Sequence, residues 1–527
     1  MSDANKDVKF SLKVVINKQK TKVLFAEAGS DFTDVLLSFL TLPLGKIVRL
    51  LEQHHKDDRP VVGSLSSLYN GLSNLDRTHF TNVLLSFLAL PLGKIVRVLE
   101  QHYKDDAPVI GSLTSLYNGL SNLDSTHFST EGAKQMLLDP ISSFGDECRK
   151  LKLDISDTQP TKYFICRIWC GWNRSQKNIG MYYGTAKCIC GGQLDMEIPV
   201  RNVFQSVGGD GGVFTTTSHE TFLISDDLEI LPNVTASFSQ ILSNLGITDI
   251  DGAEVRSVTF GINEILDLLK GSFLSWAPLT NIVLKNNTVS DSVAPKSEPG
   301  ISLLHHQTKK EETANSTTLI LKVIVQKSTR KLLFAEAEEN FVDFLFSLLT
   351  IPLGGVEHLL DSSTSLKNID NLYQSIACSN VDKYLRVAEK IRLLKPTLPH
   401  GYLSENRFFG LIEERAPELE YIVKQDSYLI PSRKTNSMFK SPKGDQYYVK
   451  GRRIYMVKDN LTVAPLSTIL YFSTLNEQEV PVSDVGELVL HIGIEEALSI
   501  LKASLSSSCA LSNGLNHMLK RQPKQEH

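Results

Sequence analysis

Leu12–Gly45 reads LKVVINKQKTKVLFAEAGSDFTDVLLSFLTLPLG, and Leu321–Gly354 reads LKVIVQKSTRKLLFAEAEENFVDFLFSLLTIPLG. The two lie over one another without a gap. Phe25-Ala26-Glu27-Ala28 falls on Phe334-Ala335-Glu336-Ala337, and Pro43-Leu44-Gly45 falls on Pro352-Leu353-Gly354. The far ends correspond as well: Phe222–Leu228 (FLISDDL) matches Tyr455–Leu461 (YMVKDNL), and Gly261–Ser272 (GINEILDLLKGS) matches Gly493–Ser504 (GIEEALSILKAS). Agreement over segments this long makes the chain two divergent copies of one unit, a relation that precedes any reading of motifs.

Within the unit, β-rich runs at Leu12–Asn17 and Lys22–Ala28 flank the polar Lys18-Gln19-Lys20-Thr21, the pattern of a hairpin. Asp31 stands at a helix-cap position ahead of Phe32, Val35, Leu36, Phe39 and Leu40, whose spacing lines one helical face. Pro43 and Gly45 end or kink that helix, and a second amphipathic helix runs through Ile47, Leu50 and Leu51. Later, Phe222–Ser225 reads as a strand ahead of helices at Ser237–Leu245 and Ile262–Leu269. Strands and helices are segregated rather than alternating, which predicts an α+β fold. Two homologous lobes are expected, each with an N-terminal β-hairpin, amphipathic helices, a β-rich middle and C-terminal helices. The first spans residues 1–285 and the second 319–505. Between them, residues 286–318 carry Pro295, Pro299, Gly300 and the charged run Lys309–Glu312, the composition of a flexible linker. Residues 506–527 are expected to form a frayed tail.

A younger duplication is nested in the first lobe. Phe32–His79 recurs as Phe80–His127, the 48 positions differing only at Asp34, Thr41, Leu50, His55, Arg59, Val62, Ser66 and Arg77. The second lobe holds this segment once, with Leu372-Tyr373 answering Leu68-Tyr69. One hydrophobic slot cannot hold two identical helix pairs, so one copy is surplus to the fold. It forms an added outer layer, exposes apolar surface, or reflects an error in the assembled coding sequence.

These elements together resemble the plant-specific DUF674 family. The resemblance is carried by the hairpin ending FAEA, the D-F-x-D-x-L-x-S-x-L-x-x-P-L-G helix from Asp31, and the L-x-x-L-Y motif at Leu65–Tyr69. It is carried also by Ser225–Leu228, by Cys188-x-Cys190-Gly191, and by the closing G-x-x-E-x-L-x-L-L-K-x-S of Gly261–Ser272. It covers nearly the whole chain as two tandem family units and implies a plant protein. It implies no catalytic residues, the family being named for its unknown function. The second lobe departs from the pattern in lacking these cysteines.

The strongest chemical constellation is Cys166-x-x-x-Cys170 followed by Cys188-x-Cys190-Gly191-Gly192, inside residues 163–192. Four thiols in two close pairs supply a tetrahedral sulfur set for zinc, structural rather than catalytic because all four positions are filled. Glycines after the second pair let the backbone turn tightly around a metal. The competing reading is four reduced, partly buried thiols on adjacent strands, where cysteine serves as a small hydrophobe. The corresponding stretch of the second lobe, Glu405–Val449, has no cysteine. Zinc is therefore not essential to the architecture of the unit.

Other motifs carry blander readings. Gly208–Gly212 is followed by Val213-Phe214-Thr215 and not by Lys-Ser/Thr, so it reads as a turn before a strand rather than a phosphate cradle. His54, His55, His102, His305 and His306 fall in polar stretches and read as solvated imidazoles. Asp226-Asp227, as neighbours on a strand, point to opposite faces, and a turn or cap role fits them better than shared acid–base work. Cys378 and Cys509 stand alone and read as structural. No catalytic or cofactor-binding residue is assigned.

Composition bounds the rest. The 527 residues are 42% hydrophobic and 22% charged, with net charge −4, a balance that disfavours nucleic-acid binding. The most apolar stretch, Val35–Leu51, is interrupted by Pro43, Gly45, Lys46 and Arg49 and is too short to span a bilayer. Met1–Asp7 is polar with no apolar h-region, so a cytoplasmic or nuclear protein is expected, its seven cysteines thiols or ligands rather than a disulfide framework. The expected function is a non-enzymatic interaction or scaffold protein that presents apolar helical surfaces to an unknown protein partner. The alternative is an enzyme or small-ligand binder with a site between the lobes, which saturable thermal stabilisation by a metabolite would reveal.

The nested copy is directly checkable. Trypsin cuts after Arg77 and Lys94, so a protein that carries both copies yields the junction peptide Thr78–Lys94. Peptide mass spectrometry is expected to find it; its absence beside well-observed flanking peptides would place the duplication in the coding sequence alone.

Overall fold

The structure is a computed structural model. It describes residues 10–37, 91–92, 109–151, 161–167, 176–198, 200–201, 213–216, 221–233, 242, 253–284, 318–378, 381–403, 408–414, 420–425, 428–431, 436–441, 443, 447–451 and 453–520.

Alternating apolar residues give each half a hairpin: Phe10–Ile16 with Val23–Gly29, and Leu319–Gln326 with Leu332–Ala337. Both hairpins carry a register shift at the same place, between Val15 and Ile16 and between Ile324 and Val325. Each grows into a five-stranded antiparallel sheet of identical order. In the first the strands run Glu254–Phe260, Phe10–Ile16, Val23–Gly29, Thr221–Ser225, Ile230–Pro232. In the second they run Val485–Ile492, Leu319–Gln326, Leu332–Ala337, Tyr455–Lys458, Val463–Pro465. The fold is mixed α+β, as expected from the segregated pattern.

Equivalent details repeat between the halves. Leu228 and Leu461 each turn the chain at positive φ (62° and 64°) although fully buried, a conformation that costs about 1–2 kcal/mol. Asp34 is buried on the Ser30–Leu37 helix and accepts the N–H groups of Val213 (2.9 Å) and Thr215 (3.1 Å). Its counterpart Asp343, on Glu339–Leu348, accepts the N–H of Tyr448 at 2.6 Å. Burial drives the Asp34 carboxyl well above its usual range, against the hydrogen bond from Thr215.

The helices do not stay with their own sheets. Leu113–Asn122, from the first half, packs on Val463–Pro465 and Glu339–Leu348 of the second. Lys367–Ala377, from the second half, packs on Ile230–Pro232 and Ile262–Leu274 of the first. The junctions are equivalent. Asn368 Nδ2 donates to the carbonyls of Ser272 (3.1 Å) and Ser275 (2.6 Å). Ser112 donates its N–H to Ser504 O (3.0 Å) and its hydroxyl to Ser507 O (2.6 Å). The last carbonyls of a helix lack intrahelical donors. The start of each exchanged helix therefore caps a helix end in the other half, with opposite dipole ends facing. Gly111, at φ 46°, leaves no room for a side chain: a Cβ there would lie 2.4 Å from Ser504 O. Beyond the helices the exchange continues, with Phe128 bridged to Val449 and Leu385 to Thr215. One apolar cluster accordingly joins residues of both halves, Phe10, Leu116, Leu345 and Ile369 among them.

Of the nested repeat, the described residues take the head of one copy and the end of the other. Phe32–Leu37, on the helix Ser30–Leu37, belongs to the first copy; Pro91-Leu92 and Val109–His127 belong to the second. Leu92 donates its N–H to Ile351 O (3.2 Å), and Pro91 bridges its own counterpart, Pro352. The helix expected through Ile47, Leu50 and Leu51, most of Ser237–Leu245, and residues 286–317 of the connecting segment lie outside the described residues.

The tail needs correction. Residues 506–520, read above as frayed, include the helices Ala510–Gly514 and Asn516–Lys520, with Leu511, Leu515 and Leu519 buried. Asp459 holds this segment by accepting the N–H and hydroxyl of Ser512, both at 2.8 Å. In the first half Asp226 does the same for Thr280, at 2.9 and 2.6 Å, on the helix Pro278–Val283.

A charged cluster also crosses between the halves. Arg392 donates to Glu147 Oε1 (2.6 Å) and Ser143 O (2.8 Å), lies 3.7 Å from Glu414, and covers the Phe144 ring at 4.2 Å. Burial, reinforced by Glu147, pushes the Glu414 carboxyl up to about 7 although Arg392 opposes the shift. A carboxyl that holds its proton more tightly when folded stabilises at low pH, and that stabilisation fades as pH rises from its unfolded value near 4.3 through 7. Glu414→Gln, neutral at every pH, is expected to flatten the fall in urea midpoint between pH 5 and 7.5. An unchanged slope in the variant would remove Glu414 from the account.

Candidate metal centre

Cys166 ends the strand Tyr163–Cys166, which pairs antiparallel with Leu194–Ile198 and shifts register between Ile165 and Cys166. Between these strands the chain makes a second, tighter reversal. Lys187 bridges Gln193, the Cys188 N–H donates to Gly192 O (2.8 Å), and the Gly191 N–H donates back to Cys188 O (2.8 Å). Gly191 sits at φ 87°, a conformation open to glycine at little cost, so the Gly-Gly pair is what lets Cys188 and Cys190 turn so sharply.

This knuckle folds back on the strand end. The Cys166 and Cys190 sulfurs are 3.6 Å apart, and one ligand atom from each of Cys166, Cys188 and Cys190 lies within 4.8 Å of the others. Cys166 is buried, Cys188 half-buried and Cys190 exposed, so the cluster opens to solvent on one side. Phe164, Cys166, Ala186 and Leu194 form a small apolar floor, with Cys188 packed against it. A disulfide needs about 2.05 Å between sulfurs, whereas tetrahedral zinc with bonds of about 2.3 Å separates its sulfurs by about 3.8 Å. The observed 3.6 Å excludes a disulfide and is the contact distance of two unbonded sulfurs, close enough for both to reach one metal ion. Cys170, the remaining member of the expected set, lies outside the described residues.

The hairpin that carries the knuckle is tied to the other half. Tyr182 and Tyr402 share a 2.5 Å hydroxyl contact, Tyr402 Oη accepts the Ile141 N–H (3.0 Å), and Tyr448 Oη donates to Tyr402 O (2.8 Å). Burial raises all three phenols, so they stay neutral donors and acceptors. Further strand pairing joins the middles: Gln176–Ile179 runs parallel to Asn436–Phe439, and Val200–Arg201 pairs with Glu420–Gln425.

The other residues singled out in the sequence fall elsewhere. Asp226 and Asp227 occupy a turn after their strand rather than the strand itself. Asp226 anchors Thr280, while Asp227 forms an ion pair with Lys367 at 2.7 Å and accepts from the Ser225 hydroxyl. That ion pair and that hydroxyl bond hold the Asp227 carboxyl below its usual range in spite of burial. Cys378 and Cys509 are exposed. Gly208–Gly212 and the five flagged histidines lie outside the described residues. Between the halves an open groove of about 580 Å³ runs between Asn118, Asn122, Asp124 and His127 on one side and Thr462–Pro465 on the other. His127 faces Arg453 across 3.0 Å, and burial and that guanidinium lower its pKa. No helix among the described residues is long and apolar enough to cross a membrane.

A family model described as "Protein of unknown function (DUF674)" matches the chain in three overlapping stretches, residues 6–82, 76–495 and 432–526. The overlaps fall where the chain repeats itself. No curated protein and no solved structure matches.

Proposed function

The chain belongs to the DUF674 family, and from that premise we propose a non-enzymatic interaction protein whose first half carries a structural zinc site on Cys166, Cys170, Cys188 and Cys190. The convergence of Cys166, Cys188 and Cys190, with one ligand atom from each within 4.8 Å of the others, supports this reading. Zinc there would replace a hydrophobic core that the short strands Tyr163–Cys166 and Leu194–Ile198 do not supply by themselves. Four thiolates fill the coordination sphere and leave no position for a reacting water, so the role is architectural. Thiolate ligands must stay reduced, which suits a cytoplasmic or nuclear setting.

Exposed apolar residues favour a protein partner over a catalytic role. On the helix Thr468–Glu477 the inner side packs on Phe334 and Met456, while Ile469 and Phe472 are 83% and 52% exposed. Large apolar side chains grouped on one helix mark contact surfaces more often than isolated ones do.

Metal analysis of the purified protein tests the zinc assignment. One zinc per chain is expected, falling to near zero in Cys188→Ser while the rest of the molecule stays folded by circular dichroism. Protein that carries no stoichiometric zinc after purification and after zinc reconstitution under reducing conditions would overturn the site.

A further inference from the structure

We infer that the two halves are each other's binding partner, recognised through the exchanged helices, so that their interlocking and not the connecting segment 286–318 holds them together. The observation is the equivalence of the two junctions. A helix start meets a helix end at each: Asn368 on Ser272 and Ser275, Ser112 on Ser504 and Ser507. These four acceptors occupy matching positions in the repeated sequence. The molecule is thus a symmetric pair of units written as one chain, and each unit's groove takes a helix from another copy of the same unit.

Differences between the junctions match each helix to its own groove. Ser375 accepts the Ile230 N–H through Oγ at 2.9 Å, whereas Gly119 stands opposite Val463, where a Cβ would come within 2.9 Å of the backbone nitrogen. Lys367 reaches Asp227, whereas the corresponding pair at the other junction is Gly111 and Asn460. The Lys367–Asp227 pair joins an exposed ammonium to a partly buried carboxylate. It adds direction, because the helix at Lys367 would meet Asn460 if it bound its own sheet. The connecting segment then serves only to raise the effective concentration of one half for the other.

The test cuts the tether in the folded, full-length protein. A sequence-specific protease site is placed within residues 286–318, and the cleaved protein is followed by gel filtration and native mass spectrometry. The fragments are expected to travel as one 1:1 particle with the elution of the uncut chain; separation into two species at micromolar concentration would overturn the inference. Asn368→Ala is expected to leave the uncut chain folded and to weaken the cut pair about tenfold, and an equally tight cut pair would remove the helix as the recognition element. A second measurement needs no variant to fold. Carbodiimide treatment of the cut protein should join Lys367 to Asp227 as an amide, giving a single band on a denaturing gel, and failure to recover that cross-linked peptide would count against the exchanged arrangement.

Discussion

The interlocking of the halves rests on a rule of helix ends: the last carbonyls of a helix must find donors from outside it. Here the donors come from the other half. The Ile262–Leu274 helix ends on Asn368, and the Ile494–Ser506 helix ends on Ser112. Each capping residue opens a helix whose apolar face then lies on the foreign sheet, Leu116 and Leu120 on one side and Ile369, Leu372 and Ile376 on the other. Burying such side chains contributes roughly 1.5–3 kcal/mol apiece. Two polar residues thus set where several large apolar ones are buried, and the shared core follows from that placement.

The thiol cluster depends on the same arrangement at one remove. Its hairpin stands outside the two large sheets, on short strands with a small apolar floor. What orients it is contact with the second half, through Tyr182 on Tyr402 and through strands that pair across the halves. This explains how one half can carry the cysteines and the other dispense with them. The sheets are built identically, while the middles differ and serve the pair rather than the unit.

What the sequence disclosed follows physical range. The hairpins and the Ile262–Leu274 helix were legible because period-2 and period-3.6 patterns are local. Cys166, Cys188 and Cys190 were legible by residue type and spacing, and the knuckle glycines confirmed the turn. The exchange was not legible, since homologous helices suit homologous grooves and no local pattern says which sheet a helix will choose. Arg392, Glu147 and Glu414 meet only through that exchange and share no spacing. The helix Ala510–Gly514 was missed although a signal existed: carrying the match of Gly261–Ser272 on Gly493–Ser504 further places Ser512 on Thr280, just as Asp459 sits on Asp226. Asp34 and Asp343 offered a similar clue, a carboxylate recurring on an otherwise apolar helical face.

The exchange also sets a clock on synthesis. The first sheet has all its strands once Phe260 has left the ribosome, but the helix that covers it, Lys367–Ala377, is translated much later. At about 5–20 residues per second, the gap is on the order of ten seconds. For that interval the elements that Lys367–Ala377 covers, Ile230–Pro232 and Ile262–Leu274, have no such helix to pack against. The shared core can close only when the second half arrives.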